Sequence, residues 1–591
     1  MIPYERLRNG IDYATGAKRA SYLLKNVRLV NVLSGEIENQ VDIAIAEGLI
    51  VGVGRSYGAE EVIDCKGQYA YPGFIDAHIH LESSKLMIGE VGRIMAQNGT
   101  SAVITDPHEI ANVAGLEGVK FQMACARRTP FIDVFFTSPS CVPTLNDAKV
   151  ETSPSSLRAS ELRALCEEEE VVGLGEMMNV TGVLHSDADV LDKIEAYYRA
   201  KLAVDGHAPM LTGVMLNAYI YRGIRSDHES TSLSEAREKL RRGMVIMIRE
   251  GSSERNLDAL LPLIDAYGRN LSRLMFASDD LDPIDLFERG HINYLVKRAV
   301  EKGIDPVAAI QMATLSPAQY FGLDNEMGAI RAGLWANIVV SPDLKSFVPS
   351  MVFHRGVRIV DRGKSVVCKS MRELPSLKSS MHVVLPEIEA LRVKAVEHAK
   401  LRVIQMVPHQ IVTQETHETP RIVDGYVEAD PSKDVAKVCV FDRHLGTGHF
   451  AVGFVRGFGM ARGAMGSSVA HDSHPLIVVG TRDEDILRCA EIIRDMGGGQ
   501  AGVWGEKSER LPLPIAGLMS DGQAENVCRH EKRLNDFCQT TLGVTLERPF
   551  AAMSFMALPV IPQLRITDRG VFKIEAGGYP ERIDLWAAEE S

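Results

Sequence analysis

Eight short β-like runs, separated by stretches with helical periodicity, fill the chain between Phe74 and Asp280, and this alternation restricts the fold more than any other feature of the sequence. The runs are FIDAHIH from Phe74, SAVITD from Ser101, IDVFFT from Ile132, VVGLGE from Val171, LAVDGH from Leu202, GIRSDH from Gly223, MVIMIR from Met244 and LMFASDD from Leu274. Between them, LDKIEAYYRAKL and SLSEAREKLRRG space their apolar residues as helices do, and the second follows a Ser suited to cap it. Strands that alternate with helices run parallel, joined by crossovers. Eight such units over roughly 250 residues are the size and count of a TIM-like (β/α)8 barrel, an α/β fold. An open doubly wound sheet is the alternative, but the nucleotide fingerprint it needs after the first strand is missing. The GGGQAG match at Gly497 follows a helix-like stretch and precedes an apolar run, the wrong order for binding a dinucleotide.

Both flanks of this region read as β structure. YLLKNVRLVNVL, VDIAIAEGLIVGVG and EVIDCKGQYA suggest a small antiparallel sheet, and the texture returns in IRAGLWANIVVSPD and MVFHRGVRIVDRGKSVV. The expected division is a discontinuous β-sandwich module at 1–71 plus 328–380, a barrel at 72–327 and a further α+β domain at 385–591. In that last unit LPEIEALRVKAVEHAKLRV reads as helix, followed by a Gly- and Ser-rich centre. There, AHDSH from Ala470 offers polar groups that either line a site or make turn hydrogen bonds, and the turn is the expected role. Three or four domain-sized units suit 591 residues.

Composition narrows the function classes. No apolar run approaches the roughly 18 residues of a membrane span, and the first twenty residues carry no secretory signature, so a cytoplasmic location without membrane attachment is expected. The nine cysteines are scattered without a CxxC, as buried thiols are in a reducing compartment. The sequons at Asn98, Asn179 and Asn270 are then chance matches. A formal charge of -13 disfavours nucleic acid and leaves a small neutral ligand as the expected partner.

Barrel enzymes place their chemistry at the carboxyl ends of the strands. Read there, the chain offers His78 and His80, then Asp106 with His108 and Glu109, then Ser138, Glu176, His207, His228, Arg249, and Asp279 with Asp280. In FIDAHIHLESS the alternation of a strand puts Asp76, His78 and His80 on one face, and two imidazoles two residues apart suit metal ligation. Four imidazoles with two carboxylates can hold two divalent cations. One would take His78, His80, Glu176 and Asp279, the other Glu176, His207 and His228, with Glu176 as the bridge. Two such ions outweigh the charges of Glu176, Asp279 and a hydroxide, and bring the pKa of bound water to about 7.

These residues resemble the amidohydrolase superfamily. PGFIDAHIHLESS, TDPHEIANV, GLGEMMN, DGHAP, SDHES, MIREGS and GFVRGFGMARGAMGSSVAHDSHPLIVVGT look, over nearly the whole chain, like the bacterial adenine deaminase family. One departure is Asn337, where Asp is expected. The resemblance implies hydrolytic deamination of adenine at C6 to hypoxanthine and ammonia by a metal-bridging hydroxide, with manganese or iron, or else zinc, in the binuclear centre. On this reading Asp279 accepts the hydroxide proton, Glu109 is the second acid-base group, and Asp106 and His108 shape the pocket or orient it. Glu109, Asp106 and Arg249 are the substrate-binding candidates, although Arg249 can equally pair with Glu250. The alternatives are a hydrolase of cyclic amides, a deaminase of another heterocycle, or a barrel that only binds. A homo-oligomer is expected, with the extra domain offering an interface.

Overall fold

The computed structural model describes residues 2–145, 147–252, 254–267, 271–366, 377, 380–407, 411–575 and 578–587; Asn270 and Val367, named in the sequence reading, lie outside them. Two parallel sheets make the barrel. Phe74–Ile79, Thr100–Thr105, Asp133–Ser138, Val171–Met177 and Ala203–Gly206 lie side by side in chain order, and Ser226–Asp227, Val245–Arg249 and Leu274–Ala277 form the other sheet. In this order they are the first to eighth barrel strands. At one seam the Arg225 N–H donates to the Val204 carbonyl at 3.1 Å; at the other, Asp279 N–H donates to the His78 carbonyl at 2.9 Å and His80 N–H to the Asp279 carbonyl at 3.0 Å. The second seam therefore joins the strand ends that carry His78, His80 and Asp279. Ile75, Ala102, Phe135, Val172, Met247 and Met275, drawn from six strands, share the buried cluster that fills the interior. The expected Ser cap is present: Ser232 accepts from Glu235 N–H at the start of Leu233–Arg241.

The two flanks form one nine-stranded sheet, in which Tyr69–Pro72 pairs with both Ala20–Asn31 and Ile338–Ser341. It is mixed rather than antiparallel throughout, because Ala59–Asp64 and Tyr69–Pro72 both return parallel to Ala20–Asn31. Backbone bonds of 2.9 Å, from Gly333 N–H to the Ile50 carbonyl and from Ala336 N–H to the Gly48 carbonyl, curl the sheet back on itself. Leu24, Ile43, Ile338 and Phe353 then share one core. Asn337 is used structurally, accepting from Arg355 N–H at 2.7 Å and reaching Asp133 of the third barrel strand at 3.4 Å.

The C-terminal region is built on a second nine-stranded sheet, flanked by the helices Asp483–Asp495 and Ala524–Thr540. The helix expected from Leu385 is not formed. Only Ile388–Leu391 makes a 3-10 turn, and Val393–Lys394 and Lys400–Met406 are strands. Leu401 and Val403 bury against Val427, Val435 and Phe454, so pairing with Thr413–Glu418 outweighs a local preference that Val393, Val396 and Val403 already weaken. No described helix is long and apolar enough to cross a membrane, and the eight described cysteines are all free.

This domain sits over the carboxyl-end mouth of the barrel. Buried Lys85, after the first strand, donates to Glu531 at 2.8 Å; Arg548 reaches Asp282 at 2.6 Å and Asp285 at 2.8 Å, after the eighth strand. In the loop after the third strand, Thr152 donates twice to Asp568 and Glu151 accepts from Ser473 Oγ at 2.5 Å. The second Glu151 oxygen has no partner. Burial, with Asp472 and Asp568 adding to it, pushes the Glu151 carboxyl up to about 8. Between an ordinary Glu value of about 4.3 and that point the unfolded chain ionises while the folded chain keeps its proton, so stability falls as pH rises through this window. Glu151→Gln removes that titration. Its unfolding free energy should match the parent's near pH 4 and exceed it increasingly toward pH 8, by on the order of 5 kcal/mol. Parallel pH profiles for the two proteins would refute this account of Glu151.

Candidate active site

The first strand delivers two imidazoles with their tautomers set. His78 Nδ1 faces Asp205 Oδ2 at 3.2 Å, and His80 Nδ1–H donates to the Asp106 carbonyl at 3.0 Å. Each ring is left with Nε2 turned inward, the two nitrogens 3.2 Å apart. Asp279 Oδ1 lies 3.6 Å and 3.1 Å from these nitrogens, and Glu176 Oε1 3.7 Å and 3.1 Å. Asp279 takes a left-handed φ of 58°, which its short polar side chain tolerates; its backbone closes the barrel seam while its carboxylate points into the mouth. Asp76 does not share this face. The pairing register slips between Asp76 and Ile79, Ala77 stays in the barrel interior, and Asp76 accepts instead from Ser278 Oγ at 2.5 Å and His291 Nε2 at 2.8 Å.

The other oxygen of Glu176 meets the remaining imidazoles, His207 Nδ1 at 2.5 Å and His228 Nε2 at 3.2 Å. Behind them, fully buried Lys239 donates to the Ala208 carbonyl at 2.6 Å and to Asp227 Oδ2 at 2.8 Å, while Asp227 Oδ1 accepts from Ala208 N–H at 3.0 Å. That network locks the residues next to His207 and His228. Asp106 Oδ2 accepts from Glu176 N–H at 3.0 Å, and Gly175 leaves it room, since a Cβ there would sit 2.1 Å from that oxygen. Arg249 binds Asp279 Oδ2 at 2.7 Å and Glu229, not Glu250, which pairs with Arg289.

The donor set fits divalent cations. His78, His80 and Asp279 bring one ligand atom each within 4.8 Å of one another, and so do Glu176, His207 and His228. Neither ring nitrogen of buried His228 has a hydrogen-bond partner, and the facing lone pairs of His78 and His80 repel unless a positive charge lies between them. Without that charge, protons supply it. Burial opposes a charged imidazole, but Asp205 and Asp279 lift His78 to about 10, and Glu229 with Glu176 lift His207 to about 9. Burial likewise opposes ionisation of Glu176 and Asp279, yet His207 and Arg249 respectively hold them well below the usual carboxylate range.

Glu109 starts the helical segment after the second strand, and sequence reasoning missed what surrounds it. His471 Nδ1 lies 2.6 Å from Glu109 Oε1, His474 Nε2 touches Oε2, and His108 Nε2 is 3.4 Å from Oε1. Burial would raise Glu109, but His471 and its neighbours hold it well below the usual range. The AHDSH segment thus reaches into the mouth rather than serving only as a turn. Its cluster of polar residues was the available signal. Asp205 and Glu229, also missed, sit beside His207 and His228 in sequence. The cavity of about 40 Å³ is lined by His80, Glu109, Glu176, His207 and Asp279, with Met178, Ile411, Phe555, Leu558 and Ile561 as its apolar wall. Asp106 is not in this lining. Phe555 and Glu254 also border a wider cavity of about 350 Å³ under the C-terminal domain.

A closed parallel barrel with these groups at its carboxyl ends, matched over residues 69–359 by the profile of the Amidohydrolase family, is an amidohydrolase. Residues 410–577 match the Adenine deaminase C-terminal domain. An adenine deaminase of Desulfatibacillum aliphaticivorans is 43% identical over 95% of this chain and 97% of its own, and one of Methanothrix thermoacetophila 43% identical over 97% and 99%. The chain belongs to the adenine deaminase family.

Because Glu176 stands between both donor groups, its charge should matter to both. We predict that Glu176→Gln loses its divalent metals together rather than one at a time, with metal analysis after dialysis as the measurement. A variant that keeps two ions per chain would remove Glu176 from the bridging position.

Proposed function

We propose that this chain deaminates adenine hydrolytically at C6, giving hypoxanthine and ammonia. The two donor groups that meet at Glu176, beneath an apolar wall, carry this reading. His78, His80, Glu176 and Asp279 would hold one divalent cation and Glu176, His207 and His228 a second, manganese or iron, or else zinc. When bound, the pair supplies a water acidified toward neutral pH as nucleophile. The family and the substrate's chemistry point to a neutral purine base, whose flat ring suits Met178, Phe555 and Leu558.

Asp279, kept ionised by Arg249, takes a proton from the attacking water as its oxygen bonds to C6. Glu109, ionised beside protonated His471, relays that proton to N1. The proton on Asp279 goes to the amino group, the C6–N bond breaks and ammonia leaves; as the C6–O bond becomes a carbonyl, its last proton returns through Glu109 to His471. Asp106 acts indirectly, through the Glu176 backbone. His108, between Asp106, Glu109 and Glu176, shapes the pocket. Arg249 orients Asp279 and also lines the cavity itself, within reach of the substrate.

Ammonia release from a panel of free bases and nucleosides tests the substrate; preference for a different heterocycle would overturn adenine. Glu109→Gln keeps size but cannot pass a proton. Metal content and folding should survive while kcat falls on the order of 10²- to 10⁴-fold. Turnover at the parent rate would reduce Glu109 to a helix-terminal carboxylate.

A further inference from the structure

Each oxygen of the Glu109 carboxylate is faced, at ion-pair distance, by an imidazole from a different domain. His474 lies deepest. Its Nδ1 accepts from Ala470 N–H at 3.1 Å, so the ring proton of the neutral imidazole sits on Nε2, which faces Glu109 Oε2. Burial pushes this ring down to about 4, in keeping with a neutral donor. The backbone that carries it is pinned as well. Fully buried Arg443 donates from Nε to the His474 carbonyl and from Nη2 to the Ala516 carbonyl at 3.1 Å. Gly517 makes room for that guanidinium, because a Cβ at its φ of 71° would lie 2.4 Å from Arg443 Nη1. His474 N–H donates to the Ala470 carbonyl at 2.8 Å and His444 Nε2–H to the Ser473 carbonyl at 2.6 Å.

His471 holds the other oxygen. It stacks on Phe555, ring centroids 4.5 Å apart, which fixes the plane from which Nδ1 faces Oε1. Asp472, between the two histidines, accepts from Thr144 of the barrel and ties the segment down. Two imidazoles at ion-pair distance, one facing each oxygen, bias the carboxylate toward one orientation about its Cγ–Cδ bond. Its orientation toward the cavity therefore depends on AHDSH as well as on the helix on which Glu109 stands.

We propose that His474 and His471 are positioning residues for Glu109, so that the deaminase site is complete only when the C-terminal domain is seated on the barrel. The inference rests on the role given to Glu109 above. It goes beyond that role in making two imidazoles of the other domain responsible for it.

The test is a double-mutant cycle in the full-length, metal-loaded chain, with kcat, KM and metal content measured for each variant. His474→Ala should lower kcat on the order of 10²-fold, as for a misplaced reacting group, with KM and both metals retained. His474→Gln, which carries an N–H to about the same reach, should recover most of the loss. In the Glu109→Gln background, His474→Ala should add little, since its effect passes through a carboxylate already disabled. A full additional loss there, or an unchanged kcat in His474→Ala alone, overturns the proposal. If His474→Ala does not fold, the same cycle with His471→Ala decides, on the same criteria. Rates are read as ratios on whichever base the parent deaminates, so an error in the identity of the base and an error in this role give different results.

Discussion

A buried carboxylate stays ionised only beside a counter-charge, and the barrel mouth holds Glu109, Glu176, Asp205, Glu229 and Asp279 out of water together. Every base in this layer answers to that constraint. Arg249 spans Glu229 and Asp279, His78 leans on Asp205, and His207 and His228 share one oxygen of Glu176. Removing any one of them leaves a charge without its partner in a low dielectric, so the cluster is set as a unit. The same excess of negative charge makes the mouth a cation site. Imidazoles that take up protons in the bare protein are those whose nitrogens would give them up to a metal.

The second domain follows from the same requirement. A site this charged works only if water is kept out, since field strength falls as solvent enters. Ile411, Phe555, Leu558 and Ile561 supply the apolar cover, and all four come from beyond the barrel. The cover is clamped at its rim by Lys85 with Glu531, Arg548 with Asp282 and Asp285, and Thr152 with Asp568. Gly517 permits the close approach of Arg443, and this in turn stiffens the turn that carries His474.

What was legible in the sequence is what one strand register repeats. Eight apolar runs with polar residues at one end imply a barrel and a mouth, and His78, His80, Glu176, His207, His228 and Asp279 do converge there. The arithmetic failed where a bulge interrupts it, so Asp76 was placed with the imidazoles although it faces Ser278 and His291. It failed again from Leu385, where helix-like spacing lost to a sheet whose partner strand lies further along the chain. The contacts of Glu109 with His471 and His474 join residues whose proximity no local pattern encodes. AHDSH showed only that polar groups were available, and a turn used some of them too, as Ala470 N–H on His474 Nδ1 demonstrates.

In the mechanism proposed above, deamination needs one group that takes a proton and a second that hands one on, and the partners of the two carboxylates would separate these tasks. Asp279 is paired with a guanidinium, which does not give up its proton at any working pH, so its ionised form is fixed and it suits acceptance from a nearby oxygen. Glu109 is paired with imidazoles, whose protons can move. His471 lies 2.6 Å from it, pushed up to about 9 because Glu109 stands beside it despite its burial. A carboxylate beside a protonated imidazole can relay that proton to a ring nitrogen, whereas one beside Arg249 cannot. On that proposal two acids of the same type would acquire different work from what touches them. The barrel provides one environment and the C-terminal domain the other.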